Sequence, residues 1–208
     1  MRIGLDLDGT IITCKSKQCV LMSAIVNAFG LSFSENEFWR DKRKGLNNKL
    51  ALTNQGFSPN LSDKINSIWI TNVEKIEWAG FDKLLEGSMN ALSALRAEGH
   101  TLHLISARNN IRNAELQLKL LAIEDLFETV DFVRADPKIN KAHYFKKRKI
   151  DCYIGDTEAD FRESKLAGID FYSVLTGMRS EDFFAHLNLQ NQISLDLYQA
   201  VQHILATK

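Results

Sequence analysis

Apolar residues alternate at the start of the chain: Ile3, Leu5 and Leu7 take every second position, and Asp6 and Asp8 stand between and after them. A period of two predicts a β-strand. Both carboxylates then project from the same face, two positions apart. Gly9 and Thr10 break the strand into a loop. The spacing next turns helical. Cys19 to Phe29 reads as an apolar-rich helix stopped by Gly30, and Ser34 opens another, with Glu37 in the capping-box position. Gly56 and Pro59 lead into Asn60 to Trp78, where Leu61, Ile65, Ile68, Trp69, Val73 and Ile76 recur on a helical period. No second strand of comparable quality appears before Thr101. A structureless connection of about seventy residues is not expected in a compact fold, so this stretch reads as a helical subdomain.

Beyond Gly87 strands and helices alternate. Ser88 to Glu98 reads as a helix, Thr101-Leu-His-Leu-Ile105 as a strand ending at Ser106-Ala-Arg108, and Asn110 to Leu121 as a helix. Thr129 to Val133 is a strand, Lys138 to Lys147 a basic helix, and Ile150 to Ile154 a strand ending at Gly155-Asp156. A helix over Glu158 to Ala167, a strand over Asp170 to Val174 and two helices near Ser180 to Leu187 and Ser194 to Ala206 complete the pattern. Such alternation specifies an α/β fold: a Rossmann-like parallel sheet with helices on both faces and right-handed crossovers. Residues 1–14 and 85–208 form the sheet unit, with 15–84 inserted as the helical one.

Composition narrows the function classes. With 208 residues and 45% hydrophobic content, a substantial core is expected. Lys plus Arg and Asp plus Glu both number 26, so the basic excess of a nucleic-acid-binding surface is missing and no nucleic-acid partner is expected. No apolar stretch approaches membrane-spanning length, and the start of the chain carries no signal-peptide pattern. Cys14, Cys19 and Cys152 lack metal or disulfide spacing, which points to a reduced, cytoplasmic setting. The histidines also lack metal spacing.

Carboxylates at the end of a buried strand are costly unless compensated, so Asp6 and Asp8 side by side suggest a metal, a shared proton, or both. Asp-Gly is a common turn pair, but a turn needs only Asp8, whereas Asp6 lies within the apolar run. In an open parallel sheet ligands bind beyond the carboxyl ends of the strands. Asp6 and Asp8 end the first strand, Ser106 the second and Asp156 the fourth. Ser106 is suited either to hold an anion or simply to cap the following helix.

Asp6-Leu-Asp-Gly-Thr10, Ser106 after an apolar strand, a downstream lysine and Gly155-Asp-Thr-Glu-Ala-Asp160 occur in an order that resembles the haloacid dehalogenase superfamily of phosphohydrolases. Ala167-Gly-Ile169 and Val174-Leu-Thr-Gly177 are similar to its phosphoglycolate-phosphatase-type members. The resemblance covers roughly Met1 to Cys14 and Leu85 to Arg179, and implies that the helical insertion is a cap. It implies a Mg2+-dependent phosphatase acting on a small phosphorylated metabolite. A phosphomutase on the same residues and a non-catalytic Mg2+-binding regulatory protein stand as alternatives, and oligomeric state is left open.

Asp6 is then the nucleophile that forms an aspartyl-phosphate, replacing one hard displacement by two easier ones. Asp8 is the general acid and then base. The resemblance assigns the metal to Asp6, the backbone carbonyl of Asp8, and Asp156, with Asp160 in support; Mg2+ suits such oxygen donors. Gly9, Thr10, Ser106 and the N–H of Ala107 are expected to cradle the phosphate. Either Lys138 or Lys141 is expected to neutralise its charge, Lys141 being preferred because it sits near the start of a helix with Ala142 and Phe145 that resembles the family's lysine-led helix. Arg108 reads equally as a phosphate or substrate contact and as a surface residue. Arg40, Lys42, Arg43 and Lys44 read as a solvated face, and Trp39, Trp69 and Trp78 as the interior of the insertion or its interface with the sheet.

Overall fold

The structure is a computed structural model that describes residues 1–134, 140–187, 189 and 193–206. Six parallel strands form one sheet in the order β3-β2-β1-β4-β5-β6. They are β1 (Arg2–Leu5), β2 (Thr101–Ala107), β3 (Thr129–Val133), β4 (Cys152–Gly155), β5 (Asp170–Val174) and β6 (Ile193–Ser194). A parallel sheet is covered on both faces, and the strands are accordingly apolar almost throughout. Ile3, Leu5, Leu102, Leu104, Cys152 and Ile154 are buried on one face against α5 (Ser88–Ala97), α6 (Ile111–Leu120) and α10 (Leu197–Ala206). On the other, Ile105, Val133, Tyr153 and Phe171 pack with α7 (Lys141–Arg148), α8 (Glu158–Ala167) and α9 (Glu181–Ala185).

The chain builds outward from β1 to β3, then returns to place β4 on the other side of β1. That reversal is the switch point at which open α/β sheets bind ligands. The register Leu5↔Leu104 and Leu5↔Ile154 sets Asp6 level with the ends of β2 and β4. The Asp6 amide donates to the Ile154 carbonyl at 2.9 Å.

Between β1 and β2 lie α1 (Lys15–Ala28), α2 (Glu35–Arg43), α3 (Asn48–Asn54), α4 (Pro59–Asn72) and a 3-10 turn, Ile76–Phe81. They gather around their own apolar cluster, centred on Met22, Val26, Phe38, Ala51, Leu52 and Ile65. Trp39, Trp69 and Trp78 all pack there. The Ser34 hydroxyl accepts from the Glu37 amide as the capping pattern required, while the Ser34 amide is met by the Gln55 side chain at 2.9 Å. The two chain segments joining these helices to the sheet run together: Thr13 N–H donates to Lys83 O, Lys83 N–H to Thr13 Oγ1, and Leu85 N–H to Ile11 O.

Three departures from the sequence expectations have local causes. The long run from Asn60 stops at Asn72 and restarts as a 3-10 turn, and between the two Glu74 accepts from the Asn109 and Asn110 amides that lead into α6. The α3 helix and β6 were not anticipated; the one has seven residues and the other two. The helix expected from Lys138 begins at Lys141 with Asn140 as its cap, and Lys138 itself lies outside the described residues.

Phe38 has no exposed surface and sits at the centre of the helical cluster. Phe38→Ala is expected to lower the unfolding free energy by about 3–5 kcal/mol through lost burial and a cavity. Leu120→Ala, at a position 70% exposed on α6, should change it by less than about 0.5 kcal/mol. Urea denaturation of the two variants checks the contrast.

Candidate active site

At the end of β1 the chain turns sharply: Ile11 and Ile12 N–H both donate to Leu7 O. Gly9 holds φ +75°, a conformation that favours glycine. Asp6, Asp156 and Asp160 meet beneath this turn, each offering a carboxylate oxygen within 4.8 Å of the others. They are 7%, 1% and 1% exposed. Asp156 follows β4. Asp160 belongs to α8, whose capping box with Thr157 fixes it: Thr157 Oγ1 donates to Asp160 Oδ2 at 2.6 Å, and the Asp160 amide returns the bond.

Lys141, the first residue of α7, reaches into this cluster. Its ammonium donates to Asp160 Oδ1 at 2.5 Å and to the Tyr153 hydroxyl at 3.0 Å. It stands 3.1 Å from Asp6 Oδ1. That last approach is an ion pair without hydrogen-bond geometry, since Asp6 Oδ1 has no hydrogen-bond partner among the described residues. Tyr153 is fixed in turn by donating to Ile105 O at 2.5 Å. Burial and the Asp6 and Asp160 charges shift this group of side chains in characteristic directions. Asp6 is pushed up to about 6, first by burial; Lys141 and the Ser106 hydroxyl pull it down, while Asp160 and Asp8 push it up. Asp156 is raised well above the carboxylate range by burial and then by Asp6 and Asp160. Lys141 is lowered by burial, but Asp160 and Asp6 more than reverse this and keep it charged.

With all three ionised, three carboxylates against one ammonium leave two negative charges unbalanced. That surplus, an all-oxygen donor set and the unbonded Asp6 Oδ1 fit a hard divalent cation such as Mg2+. The backbone closes on Asp156 from two sides, because a Cβ at either Gly9 or Gly177 would collide with its carboxylate. Met178 N–H donates to Asp156 Oδ2 at 2.7 Å.

Asp8 faces elsewhere. Its carboxylate is not part of the three-acid cluster. It pairs with Arg108 Nη2 at 2.6 Å and with Lys17 Nζ at 3.5 Å. Burial pushes its carboxyl up, but these two cations outweigh it and hold it below its ordinary value. A closed circuit follows: Lys17 binds Asp82, Gln117 Nε2 donates to Asp82 at 3.0 Å, and Arg108 Nη2 donates to Gln117 at 3.2 Å. Arg108, left between two roles by the sequence, is therefore buried and beside Asp8. Lys17, Asp82 and Gln117 carried no sequence signal; their partners lie on distant elements.

The remaining expected residues are placed as follows. Ser106 is buried at the end of β2 beside Asp6, and Ala107 is exposed next to it. The amides of Gly9 and Thr10 are already used inside the turn, by Ile12 O at 2.8 Å and Leu7 O at 3.4 Å. Thr10 Oγ1 is buried with no partner among the described residues. Lys42 departs from a solvated face: it is buried and donates to Asn48 Oδ1 at 2.9 Å, and burial, then Arg179, pushes its ammonium down to about 8. Arg43 donates to Leu175 O and Gly177 O, tying α2 to the loop that holds Asp156. A cavity of about 630 Å3 opens between α2 and the α9 segment, lined by Trp39, Arg40, Arg43, Lys44 and Phe183 among others; none of its lining residues belongs to the carboxylate cluster.

Residues 3–174 match the family model described as haloacid dehalogenase-like hydrolase. No curated protein sequence matches the chain at a significant level. Among solved structures, a haloacid dehalogenase-like family hydrolase from Streptococcus pneumoniae superposes with a TM-score of 0.74 at 18% identity, over 99% of this chain and 97% of that one. A predicted phosphoglycolate phosphatase from Haemophilus somnus gives 0.69 at 17% identity, over 100% and 97%. A protein from Thermotoga maritima described as a "putative beta-phosphoglucomutase" gives 0.67 at 16%, over 100% of both chains. At these identities the likeness is one of fold.

A carboxyl raised in the folded state makes stability depend on pH in a definite sense. Below its ordinary 3.8 Asp6 is protonated whether folded or unfolded. As pH rises towards about 6 the unfolded form ionises first, and folding is progressively penalised. Asn carries no such penalty. In metal-free protein, Asp6→Asn is therefore expected to be more stable than the parent at pH 7 by about 1–3 kcal/mol. That difference should grow from pH 4 and level off above pH 6. Thermal unfolding of both forms in chelator across that interval checks it, and a difference that shrinks as pH rises contradicts it.

Proposed function

Because the chain belongs to the haloacid dehalogenase-like hydrolase family, we propose that it is a phosphatase, releasing phosphate from a small phosphorylated metabolite through a covalent phosphoryl group carried on Asp6. The observation that supports this most directly is the position of Asp6. A buried carboxylate with one unbonded oxygen stands beside Lys141, Ser106 and two further acids at the switch point of the sheet.

In this reading Asp6, Asp156 and the backbone carbonyl of Asp8 hold Mg2+, and Asp160 serves chiefly to orient Lys141. When bound, Mg2+ supplies the positive charge that lets an anionic ester approach an anionic nucleophile. Asp6 attacks phosphorus, forming the P–O bond to its carboxylate as the ester P–O bond breaks. Lys141 faces the charge that develops on the phosphoryl oxygens, and its other contacts, Asp160 and Tyr153, spare the site any reorganisation to put it there. The Ser106 hydroxyl and the Ala107 amide hold a phosphoryl oxygen. Asp8 delivers a proton to the leaving alkoxide and then takes one from the water that cleaves the aspartyl-phosphate.

Residues 15–84 form the cap in this proposal, and residues 1–14 and 85–208 the catalytic unit. The paired segments at Ile11–Thr13 and Lys83–Leu85 are the hinge, where few hydrogen bonds must adjust for the helices to swing. The three free, buried cysteines suit a reducing, cytoplasmic setting. No helix among the described residues is long and apolar enough to cross a membrane.

Phosphate release from a panel of sugar phosphates, nucleotides and phosphoglycolate, with Mg2+ and with chelator, tests the proposal. Free inorganic phosphate rather than a phosphate-shifted isomer is the expected product. Chelator should abolish turnover and Mg2+ restore it. Asp6→Asn should lower kcat by at least about a thousandfold, and Asp8→Asn by about 10²–10⁴-fold. Undiminished turnover in Asp6→Asn would remove the nucleophile from the proposal.

A further inference from the structure

The peptide unit between Gly177 and Met178 is held at its two ends by different parts of the molecule. Its N–H donates to Asp156 Oδ2 at 2.7 Å, and its carbonyl accepts from Arg43 Nη1 at 3.1 Å. The same guanidinium nitrogen donates to Leu175 O at 3.0 Å. A peptide unit is planar, so turning the carbonyl away from Arg43 also turns the N–H away from Asp156. Positive charge on the oxygen polarises the unit and strengthens its N–H as a donor.

An arginine in the last turn of a helix ordinarily serves that helix's own carbonyls. Arg43 closes α2, yet these two bonds go to carbonyls 132 and 134 residues away. Neighbouring contacts repeat the tie. Ser180 N–H donates to Arg43 O at 3.0 Å, and Arg179 Nη1 to Lys42 O at 3.1 Å. Arg179 also donates through Nη2 to Glu158 Oε1 at 2.8 Å, and Glu158 opens α8, the helix that carries Asp160. The Met178 side chain packs into the apolar cluster of the inserted helices. The segment after β5 thus grips α2 on one side and Asp156 on the other.

We infer that Arg43 is a positioning residue for the metal site: through the Gly177–Met178 peptide it fixes the Asp156 carboxylate, so that docking of residues 15–84 on the sheet and binding of Mg2+ strengthen one another. This rests on the reading of Asp156 as a Mg2+ ligand, and on none of the chemical steps that follow binding. Groups that hydrogen-bond a metal ligand orient it, and losing one costs about 10- to 100-fold in metal affinity. Arg43 stands one peptide further out, so a smaller factor belongs to it. Linkage makes the effect reciprocal: the factor that docking adds to Mg2+ affinity is the factor that Mg2+ adds to docking. The helices then close most firmly over carboxylates that hold their ion, and lift more readily from carboxylates that do not.

Both directions can be measured. Mg2+ alone is titrated by calorimetry into metal-free protein. Arg43→Met keeps an unbranched stem and removes the donors; it should bind Mg2+ about three- to tenfold more weakly than the parent. Arg43→Lys keeps a charged donor without the fork and should recover part of the loss. Arg40→Met, at a side chain 61% exposed on the same helix, should leave the affinity unchanged. An arginine that only stabilised the fold would lower the unfolding temperature without moving Mg2+ affinity in the folded protein. The reverse effect is read by amide hydrogen exchange in the unsubstituted protein. Ser180 N–H bonds across the interface to Arg43 O, so it exchanges when α2 lifts. Mg2+ should slow that exchange by a similar factor, about three- to tenfold. Unaltered Mg2+ affinity in folded Arg43→Met, or a Ser180 amide whose exchange is indifferent to Mg2+, overturns the inference, while Mg2+-dependent phosphate release leaves the proposed function standing. The exchange measurement needs no substitution, so a poorly folding variant does not protect the inference. A parent protein that binds no Mg2+ removes the metal reading, and this inference with it.

Discussion

Everything at the end of the sheet depends on holding three buried carboxylates together against their mutual repulsion. Asp6, Asp156 and Asp160 approach within 4.8 Å while almost wholly removed from water. Left unopposed, such a group would protonate or pull apart. The fold answers with one fixed cation. Lys141 starts a helix whose cap, Asn140, sets its origin, and the ammonium is held from two sides by Asp160 and Tyr153. Tyr153 is in turn anchored to the β2 backbone. Asp160 is clamped by Thr157. Few of these side chains have freedom to relax the crowding, so it shows as raised proton affinity at Asp6 and Asp156, in an all-oxygen donor set that suits a divalent ion.

The glycines follow from the same crowding. Asp156 can lie this close to the turn after β1 only because neither Gly9 nor Gly177 presents a Cβ to it. Gly177 also accepts from Arg43, and Thr176 donates to Gly9 O at 2.6 Å. The loop after β5, the turn after β1 and the helix α2 are therefore coupled at one point. The two connections to the helical insertion are coupled at another, through Lys17 and Asp82. A displacement of the helices must break or carry both sets of contacts. This gives the insertion a mechanical path to the carboxylates that needs no long-range relay.

The sheet was legible because a doubly covered parallel strand writes itself as a short apolar run, and because the residues that end such runs stand at one edge by geometry. Ser106, Asp156 and the two N-terminal acids could be assigned to strand ends on that ground alone. Lys141 was singled out on a different ground, the resemblance of its helix to the family's lysine-led helix, with Lys138 left as the alternative. What could not be read depends on pairings across long chain separations. Lys17 and Asp82 are separated by 65 residues, Arg108 and Asp8 by 100. Nothing local marks Lys42 as a buried lysine rather than one more charge on α2. At Gly9 and Thr10 the residue types suggested free amides, yet the tightness of the turn spends them on Ile12 and Leu7. Residue type fixes what a group can donate, and only the closed turn decides to whom.

The opening pair of acids shows how far that distinction reaches. Asp6 and Asp8 are the same residue, two positions apart, on one strand extension, and a sequence assigns them the same intrinsic acidity. Asp6 is buried among other carboxylates, which drives its proton affinity up; Asp8 faces Arg108 and Lys17, which drive it down. Environments that push paired acids apart are what separate their chemical roles. The direction here carries a consequence for any proton-donating role of Asp8. So long as both cations rest on it, Asp8 is held ionised and is a poor acid. A group that draws Arg108 or Lys17 away frees it to take up a proton. In a site arranged this way, the proton that expels a leaving group competes with those two cations for the one carboxylate.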